Sequence, residues 1–112
     1  MEEKLKQYFE TFSNKDLDGL AEMFSDDVIL TDWDIYEIGK ENVLNANKRI
    51  FDSVDNISVH PYCYYGGNNS YAVEIAIEVT SKGSDNIEEL QVVDVITFDE
   101  NGLIDCIKAY KK

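Results

Sequence analysis

The chain has one histidine, one proline, two cysteines and one arginine among its 112 residues, and no apolar run long enough to cross a bilayer. Each scarcity removes a class of function. His60 stands alone and no Cys-x-x-Cys pair occurs, so no metal site is expected. Cys63 and Cys106 are isolated and read as buried thiols rather than a disulfide framework. Met1-Glu2-Glu3-Lys4-Leu5-Lys6 lacks the apolar core of a secretory leader, so the expected location is cytoplasmic. No Gly-x-Gly-x-x-Gly or Walker pattern is present. Asp32-Trp33-Asp34 begins like a calcium loop, but Glu37 stands where that loop requires glycine. No cofactor is expected on these grounds. Cations are also few, ten against 23 acidic residues, for a net charge of −13. Such a surface repels phosphate backbones and anionic lipid, so neither nucleic acid nor a membrane is expected as a partner. The better reading of the charge is solubility; at most it favours neutral or cationic ligands over anionic ones.

What remains is a 44% apolar chain of one-domain length, able to bury a modest core without staples. Leu5, Tyr8, Phe9 and Phe12 recur at i, i+3, i+4, i+7, the stripe of an amphipathic helix. Ser13-Asn14-Lys15-Asp16 interrupts it, and Asp16 can cap a second helix carrying Leu17, Leu20, Ala21 and Phe24. Ser25-Asp26-Asp27 reads as polar punctuation. Val28 to Trp33 then forms a short strand with Val28, Leu30 and Asp32 on one face. A third helix after Gly39 places Val43, Leu44, Ile50, Phe51 and Val54 on one side. From there the period becomes two. Ile57, Val59 and Tyr62 to Tyr65 predict a strand, Gly66-Gly67-Asn68-Asn69 a separator, and Tyr71 to Thr80 a half-buried strand. A long strand runs from about Glu88 to Phe98. Asp99-Glu100-Asn101-Gly102 turns it into a last strand, Leu103 to Tyr110. Helices first and antiparallel strands last define an α+β domain spanning residues 1–112.

Four polar residues break these apolar patterns. Asp94 sits among Leu90, Val92, Ile96 and Phe98 on one strand face. A carboxylate buried without a partner costs several kcal/mol, so it protonates or finds a donor. One reading is a neutral Asp94 that donates to a substrate oxygen; the other is a structural group capping backbone or pairing with a lysine. Tyr8 lies in the first helix's apolar stripe, where a core tyrosine ordinarily bonds something with its hydroxyl. Asp32 shares its face with Val28 and Leu30, although Asp34 can take that face instead. Asn47 interrupts the third helix's stripe, as a ligand contact or as an amide tying helix to sheet.

With these residues in place the chain resembles the nuclear transport factor 2-like superfamily, in its SnoaL-like and ketosteroid-isomerase-like branch. The resemblance is carried by Tyr8 with Lys15-Asp16-Leu17, and by Met23-Phe24-Ser25-Asp26-Asp27-Val28 running into Asp32. It continues in Gly39-Lys40-Glu41 and in the run from Val92-Val93-Asp94 to Gly102-Leu103-Ile104. It implies a cone-shaped fold: N-terminal helices packed on a curved, mainly antiparallel sheet, with a pocket in the concave face. It also implies roles. Asp32 would remove an α-proton from a carbonyl compound while Tyr8 and a protonated Asp94 stabilise the enolate oxygen. Phe12, Trp33, Asn47, Leu90 and Val92 are the expected substrate-binding wall, and the expected ligand is a small apolar molecule.

Departures from the isomerase pattern are Trp33 in place of the usual proline, and Phe24 and Asn47 where supporting tyrosines are expected. Resemblance to SnoaL-like cyclases offers a related chemistry with Asp94 as the base. Limonene-epoxide-hydrolase-like chemistry requires an Asp-Arg-Asp set, and Arg49 is the sole arginine. Two readings therefore stand: an isomerase- or cyclase-like enzyme, and a non-catalytic binding or dimerisation module. A homodimer is expected through the convex face, where Tyr62, Tyr64 or the Ala72/Ala76 side would lie.

Overall fold

The computed structural model describes residues 1–112. Its first helix, α1 (Glu2–Ser13), buries the predicted Leu5, Tyr8 and Phe9, and carries Glu2 and Glu3 in the turn where the helix dipole favours acidic groups. Asp16 caps α2 (Leu17–Met23) by accepting a 3.0 Å hydrogen bond from the Gly19 amide. The cap costs about 1 kcal/mol to remove. The chain runs directly from α2 into β1 (Phe24–Thr31).

Ser25-Asp26-Asp27 is thus not punctuation. These residues lie within β1, where pairing with the last strand is irregular between Phe24 and Ile29. The irregularity accommodates the polar run, and the Ser25 hydroxyl donates to Asp105 at 3.0 Å. Asp32 also falls one residue past the strand rather than inside it. A short β2 (Tyr36–Ile38), which the pattern did not signal, folds back antiparallel on β1. Gly39 then adopts φ +93°, a left-handed conformation unfavourable for residues with a Cβ, and its amide donates to Val28 O at 2.8 Å. That bond fixes where α3 (Lys40–Asp52) begins, over β1. Val54, expected on α3, instead opens β3.

The remaining strands are β3 (Val54–Gly67), β4 (Ser70–Ser81), β5 (Ile87–Phe98) and β6 (Ile104–Lys111). Asn68 and Asn69, both at positive φ, make the two-residue turn between β3 and β4. The Asn101-Gly102 pair sits in a longer connection: Asp99 accepts from the Asn101 and Leu103 amides, and Lys4 reaches Gly102 O at 2.8 Å. The sheet order is β2-β1-β6-β5-β4-β3, antiparallel except for the parallel β1–β6 pair. Three helices packed on this open six-stranded sheet form the α+β cone. No helix is long and apolar enough to cross a membrane.

The core lies between helices and concave sheet face, with Leu5, Leu20, Phe24, Val28, Val43, Ile75, Ile96, Ile104 and Ile107 fully or almost fully buried. Tyr64 belongs on that side. A register shift between Pro61 and Cys63 places Tyr64 opposite Val73, so it packs against the core and not on the convex face. Tyr62, Tyr65 and Tyr110 remain exposed. Both cysteines are free thiols, but half-buried rather than buried as expected.

Candidate functional site

Between helices and sheet the core is incomplete, leaving a cavity of about 260 Å³ lined by 21 residues, 17 of them hydrophobic. Four polar side chains complete the wall: Asp32, Asp34, Asn47 and Asp94. No lysine, arginine or histidine lines it. The eight expected site residues, Tyr8, Phe12, Asp32, Trp33, Asn47, Leu90, Val92 and Asp94, all reach this one space. Pattern reading left unnamed much of the aliphatic wall, including Ile57, Val59, Ile77, Val79 and Ile107. Its signal was the inward alternation of the strands.

Asp94 owes its state to strand register. Its neighbours across the sheet are Val73 on β4 and Ala109 on β6, neither with a side chain able to donate. The carboxyl is 8% exposed. Burial, and secondarily the negative charge of Asp32, push its pKa up to about 7. Its protonated form therefore persists far above the pH at which an ordinary carboxyl ionises. No chain group caps it and no lysine pairs with it.

Tyr8 is packed in an aromatic cluster, its ring 5.2 Å from Phe9 and 6.3 Å from both Phe12 and Phe24. Phe12 in turn meets Phe51 edge-on at 4.9 Å. These contacts fix the ring on α1. Burial, then the adjacent Asp94 charge, raises the phenol well above its usual pKa, so the hydroxyl stays a donor at any ordinary pH.

Asp32 and Asp34 both line the cavity, which answers the choice between them. Their roles differ. Asp32 Oδ1 accepts from the Asp34 and Ile35 amides, each at 2.7 Å, and its own amide donates to Ile35 O at 2.9 Å. These bonds close the β1–β2 turn and hold the side chain of Asp32 in place. Asp34 is exposed at the same turn. Asn47 is 3% exposed, and its amide nitrogen has no partner. It does not tie α3 to the sheet. Arg49 lies outside, paired with Glu37 at 3.4 Å, so an Asp-Arg-Asp set is not assembled.

Residues 5–107 match the model of the SnoaL-like domain. The chain belongs to that family. Among solved structures, this SnoaL-like domain superposes on a hypothetical protein with a ketosteroid-isomerase-like fold from Catenulispora acidiphila, solved in complex with trimethylamine. The TM-score is 0.87 at 14% identity, over 96% of this chain and 84% of that one. SalBIII, an epoxide hydrolase/cyclase-like enzyme of pyran-ring formation in salinomycin, matches at TM-score 0.86 and 21% identity, over 99% and 89%. A candidate SnoaL-like polyketide cyclase of Shewanella denitrificans matches at 0.86 and 13%, over 99% and 89%. At such identities the shared property is the fold. No functionally curated protein matches the sequence.

Proposed function

We propose that the cavity carries out cofactor-independent proton transfer α to the carbonyl of a small, mostly apolar compound. The observation behind this reading is Asp94: a buried carboxyl without a partner, near Tyr8, in a mostly apolar cavity that Asp32 also lines. A group that costs several kcal/mol to bury is retained where it has work to do. In this reading the substrate carbonyl accepts from Tyr8 and protonated Asp94. Asp32 removes the α-proton through Oδ2, since Oδ1 is held by the turn. The electron pair left on carbon delocalises to the carbonyl oxygen, where the two donors stabilise it. Return of the proton to another carbon completes an isomerisation; attack of the enolate on an internal electrophile completes a cyclisation. The volume lies just under the roughly 300–1,000 Å³ of drug-sized sites, so a mono- or bicyclic substrate fits this role better than a steroid.

The near-neutral pKa of Asp94 favours a second assignment, Asp94 as base, because a base is most effective with a pKa near the working pH. One experiment separates the two. Exchange of α-protons of small cyclic ketones in deuterated solvent is followed across the range around pH 7. With Asp94 as donor, exchange falls as pH rises through about 7. With Asp94 as base, it rises through the same interval. Tight binding of these ketones without exchange above solvent background refutes both and leaves a binding module.

A further inference from the structure

One wall residue has no part in proton transfer. Asn47 stands on the buried face of α3 with Val43, Ala46 and Phe51, at 3% exposure, where an aliphatic side chain is the ordinary occupant. It also belongs to the cavity wall, together with Ile50. An amide buried this deeply normally has hydrogen-bond partners. Here neither end has one within the chain. The nitrogen is enclosed and bonds nothing; the oxygen, equally without a donor from the chain, is the amide atom that opens onto the cavity. The last torsion of asparagine is broad and roughly two-fold, so a half-turn brings the nitrogen to the same opening. The amide therefore offers the cavity an acceptor in one orientation and a donor in the other. A ketone or ether oxygen answers only the nitrogen, and a cation answers only the oxygen. A hydroxyl both donates and accepts, and so answers either.

We propose that Asn47 determines specificity for a hydroxyl group, so that the substrate is a small hydroxy ketone with its carbonyl at Tyr8 and Asp94 and its hydroxyl at the Asn47 amide; the carbonyl end rests on the proton-transfer reading. Asp94 belongs to the sheet and Asn47 to α3, so a ligand held by both spans the cavity from sheet to helix. The wall around them is 17 hydrophobic residues of 21. Burying a hydroxyl against such a wall without a partner is unfavourable, and a ketone carrying a methyl group in its place then binds better. Asn47 inverts that order.

The test compares 4-hydroxycyclohexanone with 4-methylcyclohexanone, and 4-(hydroxymethyl)cyclohexanone with 4-ethylcyclohexanone. Each pair sets a hydroxyl against a methyl group, at two reaches from the carbonyl. By calorimetry, wild type should bind at least one hydroxy ketone about fivefold more tightly than its twin, the strength of one neutral hydrogen bond. Asn47→Leu should reverse that order while binding the apolar ketones at least as well as wild type does. Its urea midpoint should match or exceed that of wild type, since the amide it replaces bonds nothing in the fold. Asn47→Ala, a good helix former, supplies the same comparison where leucine does not fit the wall. A wild type that prefers the apolar twin in both pairs, or does not distinguish them, overturns the proposal. So does a hydroxyl preference that survives loss of the amide, which assigns the hydroxyl to Asp32 or Asp34 instead. Proton exchange on all four ketones is recorded in parallel. Exchange without hydroxyl preference removes only this inference. Hydroxyl preference with no exchange of any ketone removes only the proton-transfer reading.

Discussion

Replacing Asp94 by asparagine should make the protein more stable the more alkaline the solution. The folded-state pKa, about 7, lies above the ordinary carboxyl value of 3.8. Below 3.8 the group is protonated folded or unfolded, and the stability associated with its neutral form is fully present. Between the two values the unfolded chain releases a proton that the folded chain keeps, so stability declines with rising pH until the folded group ionises too. At 1.36 kcal/mol per unit, the whole interval amounts to about 4 kcal/mol. About 2.5 kcal/mol of it falls between about pH 5 and about pH 8. Asparagine keeps the shape, cannot ionise and has no such slope. Urea unfolding of both proteins across that range supplies the comparison, since other titrations cancel in the difference. The variant should gain roughly 2.5 kcal/mol on the wild type between the two ends, several degrees in melting temperature. A difference constant with pH to within about 0.5 kcal/mol, or a wild type that gains on the variant as pH rises, refutes the neutral buried carboxyl.

Tyr8→Phe removes a hydroxyl with no hydrogen bond inside the fold, so urea unfolding should show little loss while ketone exchange falls by about 10²-fold. Asp32→Asn keeps the Oδ1 acceptor that closes the turn, so stability should hold within about 1 kcal/mol. Its exchange rate should nevertheless drop by about 10²–10⁴-fold; unchanged turnover would exclude Asp32 as the base. Assembly is testable as well. We propose a homodimer through the outer sheet face, where Tyr65, Ala72 and Val95 form one cross-strand row and Val93 and Tyr110 meet in the next. Sedimentation should show a dimer at micromolar concentration that Val93→Asp dissociates, and a wild-type monomer would contradict this.

Local order was legible in the sequence because helix and strand write different periods. The stripe through Leu5, Tyr8 and Phe9, the Asp16 cap and the alternation from Tyr71 to Val79 each specify an element without reference to the rest of the chain. The same patterns exposed Asp94, Asn47 and Tyr8 as polar groups on apolar faces. Elements governed by distant partners were not legible. The strand character of Ser25 to Asp27 depends on irregular pairing with β6, some eighty residues away, and the inward turn of Tyr64 depends on a register shift against β4. Likewise, sequence left Asp32 and Asp34 as rivals for one face, because a face is defined only while a strand continues. The structure ends β1 at Thr31 and folds both residues into a turn, where one carboxylate is locked by backbone amides and the other is left open to the cavity. A residue's type fixes what it can donate or accept; tertiary packing decided which of these groups went unpaired, and so which could meet a ligand.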